Sequence, residues 1–181
     1  MTPKALPVDA ARLLNAHGAP PRLRAHLILV HDMATALVDA VAAAWPQVVV
    51  DREAILFGAA VHDIGKIVHM EELSGPGSAH EEAGYRLLIA DGVPERLARF
   101  ARTHGQWPDR DDISLEDLLV ALADRVWRGK RDETLEERVA QLVAIRSGEE
   151  LWQVWLRLDD LLTEIAADAG ARLAWQANHP I

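Results

Sequence analysis

The pair His62-Asp63 is the part of the chain best suited to chemistry, because it ends the apolar run 54–61. Imidazole and carboxylate groups are both metal ligands, and burying them without a partner would cost on the order of several kcal/mol. A bound cation would remove that cost. The chain also contains the pair His31-Asp32, so the dipeptide alone is weak evidence and its partners must be sought elsewhere.

Four further side chains of the metal-ligand type lie on the apolar faces of predicted helices. His26, for example, lies one turn before Val30 on the apolar stripe of the helix predicted over 22–44. A single histidine in such a place is more often a hydrogen-bonded core residue, and Asp124 could simply pair with Arg125 or Arg128. Because that explanation would have to hold at five separate positions, the sequence favours a shared metal centre. Its candidate ligands are His26, His62, Asp63, His80, His104 and Asp124.

Helical periodicity dominates the chain and no segment shows convincing strand alternation, so we predict an all-α, single-domain bundle of about seven to nine helices. The predicted helices cover about 9–15, 22–44, 52–63, 78–90, 94–104, 114–126, 134–146 and 149–169. Side-chain caps are expected at Asp9, at Asp51, at Ser78 with Glu81, and at Ser114 with Asp117. The connections are expected to be a buried segment at 47–50, a surface loop or lid at 73–77 and an exposed turn at 107–112.

Length and composition predict one domain, 1–181, with a metal-binding core at about 22–131 and packing helices at about 132–181. The 28 acidic and 19 basic residues give a net charge of −9, which disfavours duplex nucleic acid as a partner because that binding needs a basic surface. A small anionic substrate is compatible with this charge if two divalent ions reverse it locally. The chain has no cysteine, which excludes disulfides and thiol catalysis.

The N-terminal segment 1–7 lacks the apolar stretch of a signal peptide. No segment is expected to have the length and composition of a membrane-spanning helix. The sequence therefore predicts a cytoplasmic protein without a membrane partner. The tryptophan-rich C-terminal helix, which carries Trp152 and Trp155, is expected to form core contacts or a homodimer contact.

The order His…His-Asp…His…His…Asp resembles the HD-domain superfamily of metal-dependent phosphohydrolases. The resemblance covers about 22–131 and rests on residues 62–66, His-Asp-Ile-Gly-Lys, and on residues 123–125, Ala-Asp-Arg. The segment that begins at His26 is similar to the family's first-ligand helix, which favours His26 over the competing His31.

The resemblance implies an HDIG-type, six-ligand dinuclear variant of the family. In that variant the first metal is held by His26, His62, Asp63 and Asp124. The second metal is held by His80, His104 and the same Asp63, which bridges the two ions.

Nitrogen and carboxylate donors together suit Fe, Mn, Co, Ni or Zn better than Mg. Two such ions about 3.5–4 Å apart would lower the pKa of a water between them toward neutral. We therefore predict a phosphohydrolase in which a metal-activated water cleaves a phosphomonoester or phosphodiester of a nucleotide-type small molecule. Asp63 could take the water's proton, and Lys66 would neutralise charge on the phosphoryl oxygens. The alternative for Lys66 is a solvated lysine at a helix end.

Further substrate contacts are predicted at Arg125 and Arg128, which belong to a local basic patch beside Asp124. A third contact is predicted at Trp107, whose indole could stack on a nucleobase. The competing interpretations are a salt-bridged surface for the two arginines and a tryptophan packed against its own domain.

Two other classes of function remain open at the level of sequence. Some HD proteins with the same six ligands are mixed-valent di-iron oxygenases, and the ligand set does not separate these from hydrolases. A catalytically inactive signalling or scaffold domain ranks third, because the complete set of ligands is present.

Overall fold

The computed structural model describes residues 3–181; Met1 and Thr2, the start of the segment expected not to be a signal peptide, lie outside the described residues. Residues 3–181 contain no strand, and nine of their ten α-helices are longer than one turn, which confirms the predicted all-α bundle. The helices are α1 (Val8–Ala16), α2 (Pro21–Ala44), α3 (Arg52–Val61), α4 (Ala79–Ala90), α5 (Glu95–Ala98), α6 (Phe100–Gln106), α7 (Leu115–Val126), α8 (Glu133–Ser147), α9 (Leu151–Ala166) and α10 (Ala169–Ala177). Short 3-10 turns cover Ile64–Ile67, Met70–Leu73 and Trp107–Asp109.

The long helix α2 is the centre of the bundle and packs against α3, α7, α9 and α10. Its predicted apolar stripe is buried throughout: Leu23, Val30, Ala34, Leu37 and Val41. By length and composition α2 could also cross a membrane, so the expectation that no segment has this character is wrong. Half of that apolar window is buried inside the bundle, as in the core helix of a globular domain.

The buried apolar residues form two clusters that share α2 and α3. The larger cluster joins these helices to α7, α8 and α9, for example through Ile55, Leu118 and Leu158. The smaller one joins them to α1, α4 and α6 and includes Leu27 and Val61. The two clusters therefore fix α3, the helix that leads to His62, from both sides.

Of the four predicted helix caps, two are correct and two are wrong. Asp51 accepts a hydrogen bond from the Ala54 backbone N–H at 3.0 Å. Ser114 and Asp117 form a reciprocal capping box at the start of α7. Asp9 does not cap α1, because the helix already begins at Val8 and Asp9 lies inside its first turn.

The capping box predicted for Ser78 and Glu81 is also wrong, since the Ser78 side chain makes no cap hydrogen bond. Glu72 takes its place from the preceding 3-10 turn. Its carboxylate accepts the backbone N–H groups of Ala79 at 3.0 Å and His80 at 3.2 Å. The start of α4 is thus fixed by a side chain that lies across a loop.

Several predicted boundaries and exposures also need correction. The helix predicted over 94–104 is divided at Arg99 into α5 and α6, so Gly105 lies inside α6. The 47–50 connection is only partly buried, because Val49 is exposed. The helix predicted over 149–169 ends at Ala166 and is followed by a further helix, α10, which was not predicted. On α9, Trp152 is 62% exposed, whereas Val154 is buried.

A close backbone contact between the 3-10 turn Ile64–Ile67 and α4 positions the centre of the molecule. A methyl group on Gly65 would overlap the His80 carbonyl oxygen and the Gly84 backbone nitrogen. Only glycine at position 65 permits this approach, because both obstructing atoms belong to the backbone of a helix.

Replacing Gly65 with alanine should therefore destabilise the protein by about 1–3 kcal/mol or more, measured by chemical denaturation. Gly170→Ala is the matched control: its added methyl group meets open space on α10, and it should be neutral or stabilise by about 0.5–1 kcal/mol. Equal stabilities for Gly65→Ala and the wild type would contradict the close approach.

Candidate metal centre

Five helices and one turn deliver the six predicted ligands to one place. His62 closes α3 as its C-cap residue, with its backbone N–H bonded to the Gly58 carbonyl at 2.8 Å. Adjacent residues on a continuous helix diverge by about 100°. Asp63 (φ −98°, ψ 11°) leaves the α-helical conformation, which allows both side chains to reach one centre. The other four ligands come from α2, α4, α6 and α7: His26, His80, His104 and Asp124.

The first half-site is formed by His26, His62, Asp124 and one oxygen of Asp63. His26 Nε2 lies 3.1 Å from Asp63 Oδ2, 3.3 Å from Asp124 Oδ1 and 3.3 Å from His62 Nε2. His62 Nε2 lies 3.6 Å from Asp124 Oδ1 and 3.7 Å from Asp63 Oδ2. Each of the four side chains therefore has a donor atom within 3.7 Å of donor atoms on at least two of the others.

The second half-site uses the other oxygen of Asp63. His80 Nε2 lies 3.0 Å and His104 Nε2 3.4 Å from Asp63 Oδ1, and the two nitrogens are 3.5 Å apart. Oδ2 of Asp63 thus faces His26 and His62, while Oδ1 of the same carboxylate faces His80 and His104. This is the arrangement expected of a bridging ligand.

The spacing of the donor atoms fits metal ions. Bonds of about 2.0–2.1 Å place neighbouring ligand atoms of a tetrahedral ion about 3.3 Å apart. The distances between donors in the two half-sites run from 3.0 to 3.7 Å. A mixed set of imidazole and carboxylate donors suits transition-metal ions such as Mn, Fe, Co, Ni or Zn.

Hydrogen bonds fix which nitrogen each imidazole presents. The Nδ1 atoms of His62, His80 and His104 pair with the Ala59 carbonyl at 3.0 Å, with Glu72 Oε2 at 2.5 Å and with the Phe100 carbonyl at 3.2 Å. Each Nδ1–H is therefore a donor, and each Nε2 carries the lone pair that faces the centre. Metal-binding histidines are typically oriented by this kind of contact.

The electrostatics of the centre favour cations. Burial alone would raise the pKa of the Asp63 carboxyl, but the charge of His62 and hydrogen bonds from His104 and His26 hold it well below its usual range. Burial would lower the pKa of His26, yet hydrogen bonds to Asp124 and Asp63 raise it to about 9. Two ionised carboxylates thus hold positive charge at the place where an ion would bind.

An open cleft of about 280 Å³ leads to the first half-site. His26 and Asp63 form its floor, and Lys66 Nζ lies 2.5 Å from Asp63 Oδ2. The walls contain apolar, amide and cationic side chains, namely Arg22, Leu23, Leu73, Trp127, Arg128, Leu173 and Gln176. Three cationic residues, Arg22, Lys66 and Arg128, therefore line the same cleft as His26 and Asp63.

Of the predicted substrate contacts Arg125, Arg128 and Trp107, only Arg128 lines the cleft. Arg128 lines the cleft, whereas Arg125 lies 3.8 Å from Asp132 and does not. The exposed turn predicted at 107–112 is wrong at Trp107, which is 4% exposed and packs in the core, where its indole could not stack on a nucleobase. Trp127 lies at the site instead, with its ring centroid 5.1 Å from that of His26.

Several residues of the site were not predicted from the sequence. Arg22 precedes His26 by one turn, and its charge next to a candidate ligand was a usable signal. Leu173 and Gln176 belong to α10, and Glu72 contacts His80 across a loop, so no local pattern marked them. The residues of the predicted surface loop beyond Leu73 are exposed, while Leu73 itself reaches the cleft. A lid function for that loop stays a prediction.

The competing candidate His31 lies apart from this centre. It is buried on α2, and its Nδ1 has no hydrogen-bond partner. Burial, together with the charges of Lys4 and Arg52, lowers its pKa to about 4. His31 therefore behaves as a neutral core residue.

The fold and this centre define an all-α protein with buried histidine and aspartate groups that could hold metal ions. The HD domain family model matches residues 23–129, more than half of the chain, and the chain belongs to the HD domain family. Members of this family typically bind divalent metals and are metal-dependent hydrolases of the phosphohydrolase superfamily. No curated protein and no solved structure matches the chain.

Glu72→Ala should weaken binding of a divalent ion by about 10–100-fold, because His80 loses the partner that fixes its tautomer and orientation. Titration calorimetry with Mn²⁺ measures this, and thermal unfolding reports how much the lost helix cap destabilises α4. The control is Glu71→Ala, the exposed neighbour that pairs with His69. Equal affinities for the two variants would show that Glu72 does not orient the ligand.

His31 should make the protein less stable as the pH falls. Its pKa in the folded state, about 4, lies below the value of about 6.5 for an unfolded chain, so only the unfolded state takes up a proton between these values. At pH 5 this amounts to about 2 kcal/mol relative to pH 8. The loss should be smaller in His31→Leu, measured by urea unfolding of both proteins at both pH values. Parallel losses would contradict a neutral His31.

Proposed function

We propose that this protein is a metal-dependent phosphohydrolase of the HDIG-type, six-ligand dinuclear variant, acting on a phosphate ester of a small nucleotide-type molecule. The observation that carries this proposal is the division of the Asp63 carboxylate between two groups of imidazoles, with Oδ2 facing His26 and Oδ1 facing His80. Such a carboxylate suits two neighbouring ions, the arrangement used in many phosphatases.

Two divalent ions, when bound, would act as Lewis acids and lower the pKa of a coordinated water toward neutral. The protein's own part is to orient that water and receive its proton, for which Asp63 is the nearest buried carboxylate on the cleft floor. Lys66 lies against the same carboxylate and faces the cleft. There it would stabilise negative charge that grows on the phosphoryl oxygens.

Two arginines support an anionic substrate. Arg22 uses its Nε to hold the His179 carbonyl at 2.7 Å, and its terminal N–H groups remain available to the cleft. Arg128 makes no ion pair within residues 3–181, and its buried Nε has no acceptor. A guanidinium without a carboxylate partner is well suited to bind a phosphate, which offers acceptors in matching geometry.

The cleft also bears on the size and shape of the substrate. Its volume of about 280 Å³ is close to the lower end of the usual range for small-molecule pockets, about 300–1,000 Å³. Trp127 lines the cleft next to His26, but it is only 4% exposed and offers little surface for stacking. A compact phosphorylated molecule fits a cleft of this volume better than a long chain does.

The di-iron oxygenase uses the same ligands, and only the surroundings separate the two functions. The cations Arg22, Lys66 and Arg128 on one cleft favour phosphate over an uncharged substrate. Iron analysis and a visible spectrum after aerobic purification discriminate, because a hydrolase needs no redox-active pair. A scaffold that has lost activity is disfavoured by the complete set of clustered donors.

A panel of phosphomonoesters and phosphodiesters, assayed with added Mn²⁺, Co²⁺ or Ni²⁺, tests the proposed function. We expect turnover that is abolished in His62→Ala and Asp63→Asn. Absence of turnover on every member, with stoichiometric bound iron, would favour the oxygenase.

Arg128→Gln should lower kcat/KM by about 10–100-fold, mainly through KM, since it removes charge-assisted hydrogen bonds to the substrate worth about 1.5–3 kcal/mol. Lys130→Gln, an exposed position two residues away, is the control and should leave kcat/KM within about twofold of the wild type. Similar values for both variants would remove Arg128 from the substrate site.

A further inference from the structure

We propose that Glu81 is a fourth protein donor of the second half-site and binds the same ion as His80 and His104. This inference rests on the proposed dinuclear centre. It adds a carboxylate that neither the sequence analysis nor the family resemblance assigned to the metal.

The two half-sites are unequal without Glu81. The first gathers four donors, from His26, His62, Asp63 and Asp124, whereas the second gathers three, from His80, His104 and Asp63. Protein sites for transition-metal ions commonly use three or four side chains. One more carboxylate would give both half-sites the same mixture of two imidazoles and two carboxylates, a set suited to Mn²⁺ or Fe²⁺.

Glu81 is a largely buried residue whose carboxylate has no partner among the described residues. The residue is only 8% exposed, and its carboxylate forms no hydrogen bond or ion pair with the part of the chain that the structure describes. Its neighbour Glu82, by contrast, is paired with Arg86 and Arg102. A carboxylate in so confined a place loses part of its hydration without gaining a protein partner, and a bound cation would compensate for that loss.

The position of the carboxylate fits this role. One ligand atom from each of His80, Glu81 and His104 lies within 4.8 Å of the other two. Two donors on opposite sides of one octahedral ion with bonds of about 2.1 Å lie about 4.2 Å apart. Donor atoms grouped this closely are therefore near enough to share one ion.

Gly105 makes room for the Glu81 side chain. A methyl group on Gly105 would overlap Glu81 Oε1, so the carboxylate occupies the space that a side chain next to His104 would fill. The role in a capping box expected for Glu81 is absent, because Ser78 makes no cap and Glu72 binds the first N–H groups of α4. Glu81 is therefore free to face the centre.

The experiment is a Mn²⁺ titration of the full-length protein, stripped with chelator and followed by calorimetry and by elemental analysis after desalting. The wild type should bind two ions. Glu81→Gln, which keeps the shape and removes the charge, should weaken the second ion by about tenfold or more and retain one ion after desalting. Glu82→Gln, the next residue on the same helix, is the control and should still bind two.

Gly105→Ala supplies a second variant that keeps Glu81 but displaces its carboxylate, and it too should lose the weaker ion. Thermal unfolding of the stripped proteins checks folding: Glu81→Gln should be at least as stable as the wild type, since the carboxylate that it replaces has no partner within the described residues. Two ions bound with unchanged affinity in Glu81→Gln would overturn the inference and leave the proposed function intact. A wild type that binds fewer than two ions would overturn both.

Discussion

The buried carboxylate of Asp63 is the constraint on which the rest of the structure depends. It is 3% exposed, and imidazoles from four helices and the Lys66 ammonium surround it. A carboxylate in such a place is tolerated only where charges and hydrogen bonds compensate for its lost hydration. The fold therefore has to end α3 at His62, turn the chain at Asp63 and bring α4 against Gly65, because each step moves a compensating group into contact.

Much of this centre could be predicted from the sequence because its residues break a strong pattern. A polar ligand on an apolar helical stripe is conspicuous, as His26 and His104 show, and the capping box of Ser114 and Asp117 is encoded within four residues. The failures concern contacts made across the fold. The cap on α4 comes from Glu72 rather than Ser78, and Trp107 is buried although proline and acidic residues follow it. The residues next to Ser78 and Trp107 in the sequence do not indicate which groups these two segments contact in the fold.

The wall of the cleft could not be predicted for a similar reason, since it is assembled from opposite ends of the chain. Arg172 of α10 is buried and donates hydrogen bonds to the carbonyls of Trp127 at 2.6 Å and Ala166 at 3.2 Å. Arg22 at the start of α2 holds the His179 carbonyl. These bonds satisfy carbonyls at helix ends that would otherwise lack donors. They also hold α10, which lies outside the matched family region, against the mouth of the site. The residues that α10 contributes to the cleft, Leu173 and Gln176, therefore lie outside the region that the family model describes.

The distribution of charge explains how an acidic protein can present a basic cleft. Outside the cleft the basic residues after Asp124 are largely paired, Arg125 with Asp132 and Arg131 with Glu136 and Asp159. Arg128 lies between them in sequence but points to the cleft without a carboxylate partner. The excess of acidic side chains thus neutralises arginines elsewhere on the surface and does not oppose binding at the centre. Because exposed charges more than about 10 Å apart are largely screened at ordinary ionic strength, a ligand in the cleft responds to the nearby cations and not to the net charge of −9.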